Sequence, residues 1–192
     1  MSDFDSDVLH ALFPTASDTV LVDLLRREIW IDGDITDHTL RDVVRGMMQM
    51  TKHSPYPIEV YINSNGGDVS SGLGIADYFR HLSSKSFVIP TKVMGVAYSA
   101  GALISSAGTP GHRSAMPSSR FLIHQLRAAG VEGNMEDLES DIKNLEKLND
   151  QITTLLVKAT KQKKKRVVAD LRQETYMSAD EALNYGLIDH IL

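Results

Sequence analysis

Residues 94–102 read Met94-Gly95-Val96-Ala97-Tyr98-Ser99-Ala100-Gly101-Ala102 and predict a turn from a strand into a helix. Apolar residues precede Ser99 as in a strand, and small and apolar residues follow it as in a buried helix. A serine at such a turn projects its hydroxyl from the protein, and the N–H groups of the helix N-terminus can hold an oxyanion. The stretch therefore has the pattern of a nucleophilic serine. The alternative interpretation is a serine that only caps a core helix.

Outward from this turn, short apolar strands alternate with amphipathic helices. Strands are predicted at 28–31, 58–62, 87–89, 93–94 and 120–124, and helices at 36–51 and 69–82. A turn is predicted at Asp32-Gly33-Asp34, because glycine between two aspartates is typical of turns. The alternation indicates parallel βαβ units, so the predicted fold class is α/β with a mainly parallel sheet.

Length, charge and composition exclude several classes of protein. The chain has 192 residues, which is enough for one sizeable core and so predicts one domain. Its net charge of −5 gives no reason to expect nucleic acid or an anionic membrane as a partner. The absence of cysteine excludes disulfides, thiolate metal sites and a cysteine nucleophile. The acidic N-terminus does not resemble a signal peptide, and no apolar run approaches the ~20 residues of a membrane span, so we expect a cytoplasmic protein.

A nucleophilic serine needs a base to take its proton and an acid to orient that base. His124 is the leading base because it ends the predicted strand 120–124, from which a side chain can reach the active edge of the sheet. His190, near the C-terminus, is its competitor, and Asp170 is the candidate acid. Structural interpretations compete with these roles: a histidine with satisfied hydrogen bonds at the core or its rim, and an exposed helical carboxylate.

Two further segments carry information. Asn63-Ser64-Asn65-Gly66-Gly67 follows a strand and precedes a helix, so its glycines allow close backbone approach and an oxyanion-binding N–H. Residues 134–160 predict a long amphipathic helix with a narrow apolar seam that either packs on its own core or contacts another subunit. That seam comprises Met135, Leu138, Ile142, Leu145, Leu148, Ile152 and Leu156. The basic run 161–166 is interpreted as a solvated connection.

Several motifs occur together in a fixed order. They are Tyr61-Ile62-Asn63-Ser64-x-Gly66-Gly67, Met94-Gly95-x-Ala97-x-Ser99-x-Gly101-Ala102, Ala107-Gly108, Pro117-x-Ser119-Arg120, Ile123-His124-Gln125, Tyr176-Met177-Ser178-Ala179-x-Glu181-Ala182 and Tyr185-Gly186-Leu187-Ile188-Asp189. Over about residues 24–191 the chain resembles the proteolytic subunit of Clp protease. The resemblance implies a Clp/crotonase-like ββα superhelix with a mainly parallel sheet, helical layers and a protruding handle helix.

The resemblance also implies the roles of individual residues. Ser99 is the expected nucleophile, His124 the base and Asp170 the orienting acid. The oxyanion hole is assigned to the backbone N–H groups of Gly67 and Ala100, and the substrate groove to Gly66, Gln125 and Leu126. No cofactor and no metal are expected.

The resemblance divides the single domain 1–192 into four parts. These are an N-terminal arm at 1–20, a head with nucleophile and base at 21–125, a handle at 126–160 and a C-terminal part with the acid at 161–192. The handle is expected to join two stacked heptameric rings of this chain, a tetradecamer. Polypeptides are the implied substrates, and an AAA+ Clp-type ATPase is the implied partner.

The chain departs from the family pattern at four places. Asn65 replaces the usual proline of the Gly-Gly turn, and Glu59 stands where the family often has an aromatic residue in its ATPase-docking pocket. The stretch 126–129 lacks the usual proline and glycines, and the arm lacks the usual axial-loop pattern. Docking to an ATPase is therefore a weaker expectation than the catalytic residues.

Three other functions are compatible with parts of the sequence. An α/β-hydrolase would use Ser99, Asp170 and His190 in that order, although its nucleophile motif normally has glycine on both sides of the serine. A non-hydrolytic subunit would only build a ring, but it would not need the complete set of serine, histidine and aspartate. A crotonase-type enzyme would act on acyl-CoA through two oxyanion N–H groups without a nucleophilic serine.

Overall fold

The computed structural model describes residues 19–126 and 135–192. The strands are β1 (Val20–Asp23), β2 (Glu28–Ile35), β3 (Glu59–Gly67), β4 (Thr91–Tyr98), β5 (Arg113–Ala115), β6 (Arg120–Ile123), β7 (Thr175–Ser178) and β8 (His190–Ile191). The helices are α1 (Asp37–His53), α2 (Val69–Ser84), α3 (Ala100–Ser106), α4 (Met135–Thr160), α5 (Lys164–Arg172) and α6 (Ala179–Tyr185). Nearly all of the expected arm, and residues 127–134 of the expected handle, lie outside the described residues.

The described strands form one sheet that is mostly parallel, as the alternation of strands and helices predicts. Its main order is β1-β2-β3-β4-β5-β8, and β6 pairs with both β4 and β7. Pairing is antiparallel between β1 and β2 and between β6 and β7, and parallel elsewhere. The fold is therefore the mixed α/β architecture that the sequence predicts, with helices covering a mainly parallel sheet.

Strand β4 has different neighbours along its length, and this positions the candidate site. Residues 91–93 pair with β5, whereas residues 96–98 pair with β6. The sheet therefore divides at β4, and only the end of the strand that leads into Ser99 lies beside β6. Because β3, β4 and β6 run parallel, their carboxyl ends meet at the same edge, where ligands of open α/β sheets bind.

Two local predictions are wrong. The predicted turn at 32–34 belongs to β2, which continues to Ile35 past a register shift between Asp32 and Asp34. Side chains of β3 bridge the irregularity, since Ser64 Oγ donates to the Gly33 carbonyl at 2.6 Å and Asn63 Nδ2 donates to Asp32 Oδ1 at 2.8 Å. Residues 87–89 form no strand; β4 begins only at Thr91, after a proline that cannot donate to a ladder.

Helix α3 forms the centre of the helical layer beneath the serine turn. All seven of its residues are buried, so the small residues of this stretch are required by packing on every side. A Cβ on Gly72 of α2 would lie 2.8 Å from Ala100 Cβ, which shows how closely the two helices approach. Asp68 caps α2 by accepting from Ser71 N–H at 2.7 Å, so the helix begins directly after the Gly-Gly turn.

The long helix α4 is packed only along its second half. Ile152, Leu155 and Leu156 are buried in the core, whereas Met135 and Ile142 are 72% and 55% exposed. The end of α4 is fixed by the Arg113 guanidinium, which donates to the Ala159 carbonyl at 3.0 Å. None of the helices in the described part of the chain is long and apolar enough to cross a membrane.

Candidate active site

Three parallel strands deliver the leading candidates to one edge of the sheet. Strand β3 ends at Gly67, β4 ends immediately before Ser99 and β6 ends immediately before His124. The Ser99 N–H donates to the Leu122 carbonyl at 2.8 Å, which joins the serine turn directly to β6. Sequence reasoning from strand ends therefore places the serine, the histidine and the Gly-Gly turn at the same edge.

The backbone at Ser99 is strained, with φ 54° and ψ −119°. A residue with a Cβ rarely adopts positive φ, and such strain costs on the order of 1–3 kcal/mol and clusters at functional sites. Although Ser99 occupies the N-cap position of α3, its side chain makes no capping hydrogen bond. The interpretation of Ser99 as a simple capping serine is therefore not supported, and its hydroxyl stays available for chemistry.

The Gly-Gly turn lies against the serine. A Cβ on Gly66 would lie 2.7 Å from Ser99 Cβ and 2.8 Å from the Tyr98 carbonyl oxygen. Gly66 and Gly67 have φ of 99° and 144°, so glycine is required both by space and by conformation. The Gly66 N–H donates to Ser64 Oγ at 3.1 Å, which fixes the turn from the preceding strand.

Ser99 and His124 line one narrow cavity whose other walls are apolar. The remaining lining residues are Val69, Leu103, Ile123, Leu126, Ile152, Leu156 and Leu171. Leu126 is held there because its N–H donates to Asn149 Oδ1 at 3.1 Å. The cavity therefore combines a nucleophile and a base with an apolar surface contributed by α3, α4 and α5.

The imidazole of His124 is oriented by the main chain. Its Nδ1 lies 2.6 Å from the Gln125 carbonyl oxygen, so Nδ1 carries the proton in the neutral ring and donates it. This tautomer leaves Nε2 as the acceptor, which is the atom that a general base needs. Within the described ranges no hydrogen bond joins His124 to Ser99 or to Asp170.

The Asp170 carboxylate contacts two side chains, those of Tyr185 and Arg166. Its Oδ2 accepts a hydrogen bond from the Tyr185 hydroxyl at 2.8 Å and lies 3.6 Å from Arg166 Nε. The Gln125 N–H donates to the Leu171 carbonyl at 3.0 Å, so the residues next to His124 and Asp170 are bonded to each other. The structure thus brings α5 to the base, while the carboxylate contacts Tyr185 and Arg166.

Tyr185 is a residue that sequence reasoning missed. It is 4% exposed, and burial, together with the hydrogen bond to Asp170 and the charge of that carboxylate, raises the pKa of its hydroxyl. The sequence contains it within the motif at 185–189 but gives no sign that its hydroxyl contacts Asp170, because the two residues lie on different helices.

His190 does not compete with His124 for the site. His190 Nε2 contacts the Gly111 carbonyl at 3.0 Å, and His190 does not line the cavity at Ser99. In the part of the chain that the structure describes, no three histidine or carboxylate side chains form a group that could hold a metal ion.

Comparison with known proteins agrees with this arrangement. The family model described as Clp protease matches residues 15–192. The chain belongs to the Clp protease family. It is also 36% identical over 169 residues to the ATP-dependent Clp protease proteolytic subunit 2 of Gluconobacter oxydans (strain 621H), covering 87% of this chain and 74% of that protein. The resemblance read from the motifs is therefore confirmed, whereas the roles of Ser99, His124 and Asp170 stay predictions.

Glu59 on β3 takes part in an ion pair at the surface of the sheet. Glu59 Oε2 accepts hydrogen bonds from Lys92 Nζ at 2.7 Å and from the Tyr61 hydroxyl at 2.8 Å. The Lys92 hydrogen bond is the main reason why the pKa of Glu59 is lowered. Trp30 stacks on Tyr61 with ring centroids 4.1 Å apart. Glu59 is thus part of an ion pair beside two stacked rings.

Proposed function

We propose that the chain is a serine endopeptidase of the Clp type, with Ser99 as nucleophile, His124 as base and Asp170 as orienting acid. The observation that carries the proposal is the strained serine turn. Ser99 has φ 54°, and its hydroxyl makes no hydrogen bond that caps α3. It lines the same apolar cavity as His124, at the edge of the sheet where three parallel strands end. Strain without a structural use supports a functional role.

The reaction follows from this placement. His124 Nε2 takes the proton of the Ser99 hydroxyl while Oγ attacks the peptide carbonyl carbon, and the carbonyl π pair becomes an oxyanion. The backbone N–H groups of Gly67 and Ala100 bind that oxyanion. The imidazolium then gives its proton to the leaving amine as the C–N bond breaks. Water, activated in the same way, attacks the acyl-serine and releases the carboxylic acid and free Ser99.

The hydrogen bonds of a triad form in this proposal when substrate binds. Catalytic hydrogen bonds are often long or misaligned in the free enzyme, and they tighten in the complex. A rotation of the His124 side chain takes Nδ1 from the Gln125 carbonyl to the Asp170 carboxylate. The main-chain hydrogen bond between Gln125 and Leu171 joins the residues next to His124 and Asp170.

The site accepts a polypeptide in an extended conformation. Gly66, Gln125 and Leu126 form the proposed groove, since Gly66 admits close backbone approach and Leu126 lines the cavity. That cavity has a volume of only about 10 Å³, so it gives the approach to Ser99 an apolar surface rather than enclosing a substrate side chain.

Self-assembly and an unfoldase complete the proposed function. The relative from Gluconobacter oxydans is named as a subunit of an ATP-dependent Clp protease. We propose that residues 126–160 join stacked heptameric rings of this chain in the cytoplasm, and that an AAA+ ATPase supplies unfolded polypeptides. The peptidase step itself uses no cofactor, so short peptides are cleaved without ATP.

The test is labelling by a fluorophosphonate together with hydrolysis of a short fluorogenic peptide. One label per subunit is expected at Ser99, and Ser99→Ala is expected to abolish both signals. His124→Ala should lower turnover by roughly 10⁴- to 10⁶-fold, as loss of a triad member does. His190→Ala is the matched control and should leave turnover near that of the unmodified chain.

Labelling that persists at another serine in the Ser99→Ala variant would refute the proposal. An inactive His190→Ala variant beside an active His124→Ala variant would instead favour the α/β-hydrolase order. A chain that assembles normally but neither labels nor cleaves peptides would be the non-hydrolytic ring subunit. Without an ATPase, the chain should not degrade folded substrate proteins.

A further inference from the structure

We infer that Glu174 is the positioning carboxylate that orients His124 when substrate binds, so that the site works as a serine, a histidine and a glutamate. The inference rests on the proposed function, from which it keeps the nucleophile Ser99 and the base His124. It changes the acid, because the described contacts favour Glu174 over Asp170, the residue that the motifs imply. A glutamate takes this role in some other serine hydrolases.

The register of β6 and β7 places Glu174 opposite His124. In this antiparallel pair Ile123 lies opposite Thr175. One step further along the same register, His124 meets Glu174, and each is the residue directly beyond its strand. Directly opposed residues of antiparallel strands have Cβ atoms about 4.5–5.5 Å apart and point to the same face. A glutamate side chain is long enough to span the remaining distance to an imidazole.

A second main-chain contact keeps the two segments together beyond the strands. The Gln125 N–H donates to the Leu171 carbonyl at 3.0 Å. Residues 171–175 are therefore bonded to the chain on both sides of His124, through the strand pairing before it and through this hydrogen bond after it. The turn that carries Glu174 cannot leave the imidazole without breaking one of these contacts.

The backbone of Glu174 is in the left-handed region, with φ 53°. The residue comes directly after Gln173, which ends α5, at the position where helices commonly have a glycine in this conformation. A side chain there costs conformational energy that glycine would avoid. A glutamate at a position that favours glycine supports a use for its side chain, as strain does at Ser99.

The Asp170 carboxylate is directed toward a different groove. Its Oδ2 accepts from the Tyr185 hydroxyl at 2.8 Å and lies 3.6 Å from Arg166 Nε. Neither Ser99 nor His124 lines this groove. To reach the imidazole, the Asp170 carboxylate would have to give up both of its partners.

The helices packed around His124 present apolar residues to it. Apart from Ser99, the other residues that line its cavity are apolar, and they come from four helices and the end of β6. Asp68 immediately precedes α2, but its carboxylate caps that helix by accepting from the Ser71 N–H at 2.7 Å. In such surroundings a carboxylate at hydrogen-bonding distance favours the imidazolium over the neutral ring.

The strands and the turn beside the imidazole carry further ionisable groups. Tyr98 of β4 and Tyr176 of β7 pack edge to face, with ring centroids 5.8 Å apart. Arg172 at the end of α5 and Arg120 at the start of β6 are both exposed. Among the carboxylates of these neighbouring elements, Glu174 is the one whose register position is next to the imidazole.

This placement defines what the glutamate does. When substrate binds, the His124 ring turns from the Gln125 carbonyl and its Nδ1–H donates to the Glu174 carboxylate. Nε2 then takes the proton of the Ser99 hydroxyl. The carboxylate stays ionised throughout and stabilises the imidazolium that forms.

The experiment compares Glu174→Gln with Asp170→Asn in the hydrolysis of a short fluorogenic peptide. Each substitution replaces a carboxylate by an amide of the same shape. Glu174→Gln should lower kcat by roughly 10⁴-fold with little change in KM, because the amide favours the wrong tautomer of the imidazole. Asp170→Asn should lower kcat far less. Asp77→Asn is the control for loss of a charge, because its side chain is 74% exposed on α2 outside the site.

The pH profile separates positioning of the base from a structural loss. A histidine without its carboxylate loses its proton at lower pH, so the acid limb of kcat/KM should move down by about one pH unit in Glu174→Gln. Asp77→Asn should leave the limb in place. Glu174→Asp keeps the charge, so it should recover part of kcat and return the limb toward that of the unmodified chain.

Glu174→Gly tests whether the side chain serves chemistry or stability. Glycine adopts the left-handed conformation without strain, so the denaturant midpoint of unfolding should stay the same or rise. Peptide hydrolysis should nevertheless fall as far as in Glu174→Gln. A glycine variant with a lowered midpoint, or one that keeps its activity, would contradict the inference.

The outcomes distinguish the inference from the proposed function. If Asp170→Asn loses as much activity as Glu174→Gln or more, or if the acid limb of Glu174→Gln does not move, the inference is wrong and the proposed function stands. If both amide variants stay active while Ser99→Ala is inactive, again only the inference fails. If Ser99→Ala keeps full activity, the proposed function itself fails.

Discussion

The two halves of helix α4 have the same apolar spacing but different surroundings. In the outer half Met135 and Ile142 are exposed, and in the inner half Ile152 and Leu156 are buried. The inner half contacts α3 and α5 and forms part of the cavity at Ser99. The same apolar pattern is therefore buried within the subunit along one half of the helix and exposed on the surface along the other half.

The difference shows that helical periodicity identifies an apolar face without identifying what covers it. The sheet, α3 and α5 extend only along the second half of α4, so the first half has no core of its own subunit to enter. For a helix with exposed isoleucine and methionine, contact with another copy of the chain is the interpretation that fits the proposed ring assembly. Matched substitutions in the two halves can test that interpretation.

The largest loss of stability is expected from a substitution of Arg113, whose side chain holds the end of the inner half of α4. Arg113 donates to Asp189 through two nitrogens, at 2.9 and 2.6 Å, and also to the Ala159 carbonyl at the end of α4. Arg113→Met should lower the free energy of unfolding by about 3 kcal/mol, because it leaves a partly buried carboxylate without its charged partner. Denaturant unfolding measures this.

The control is Arg26→Met, which removes an exposed pair with Asp23 at 3.8 Å. Its effect should stay within about 0.5 kcal/mol. Equal effects of the two substitutions would show that the buried ion pair does not anchor the helix.

The ion pair between Arg113 and Asp189 also predicts that the free energy of unfolding depends on pH in the acid range. Burial alone would raise the pKa of Asp189, but hydrogen bonds from Arg113 and from the Gly111 N–H outweigh it, so its pKa is lowered. Between the lowered value and the ordinary value of about 3.9, the unfolded chain binds more protons than the folded chain. This contribution to stability is therefore present above about pH 4 and is lost as the pH falls through the lowered pKa. Asp189→Asn should remove this component of the acid transition; an unchanged transition would contradict the assignment.

The second largest loss of stability is expected from a substitution within the buried inner half of α4. Leu156 is fully buried and lines the cavity at Ser99. Leu156→Ala should lower the free energy of unfolding by about 2–5 kcal/mol, because it removes buried methyl groups and leaves a void. Ile142→Ala is the matched control in the outer half, measured at a dilution where the mass is that of one chain. A loss at Ile142 as large as that at Leu156 would contradict the distinction between the two halves.

The smallest effect on the subunit, but a change in assembly, is expected in the outer half. Ile142→Asp with Leu145→Asp should change the stability of the dissociated chain by no more than about 0.5 kcal/mol. The same pair should prevent the proposed rings from joining, so the mass in solution should fall to single rings or smaller species. Light scattering after size exclusion measures the mass.

The control for assembly is Ser140→Asp with Asn144→Asp, which adds the same charge at two exposed positions that do not belong to the apolar seam. This variant should keep the mass of the unmodified chain. An unchanged mass in the Ile142 and Leu145 variant would remove the helix from the proposed contact.

Much of the candidate site could be predicted because it depends on local patterns. The strand before Ser99, the small residues after it and the glycines at 66–67 each have a local signature, and parallel strands bring their ends together. The extension of β2 through Gly33 could not be predicted. It depends on hydrogen bonds from Ser64 and Asn63, about thirty residues away.

The sequence by itself determined the class of fold, the family and the identity of the serine turn, because these follow from periodicity, glycine positions and short motifs. Only the tertiary structure decided which groups contact Asp170 and which half of α4 is buried. Those outcomes depend on where α5, α6 and the sheet meet. The physical reason is that backbone preferences act between neighbours in the chain, whereas burial and side-chain hydrogen bonds depend on elements that are distant in sequence.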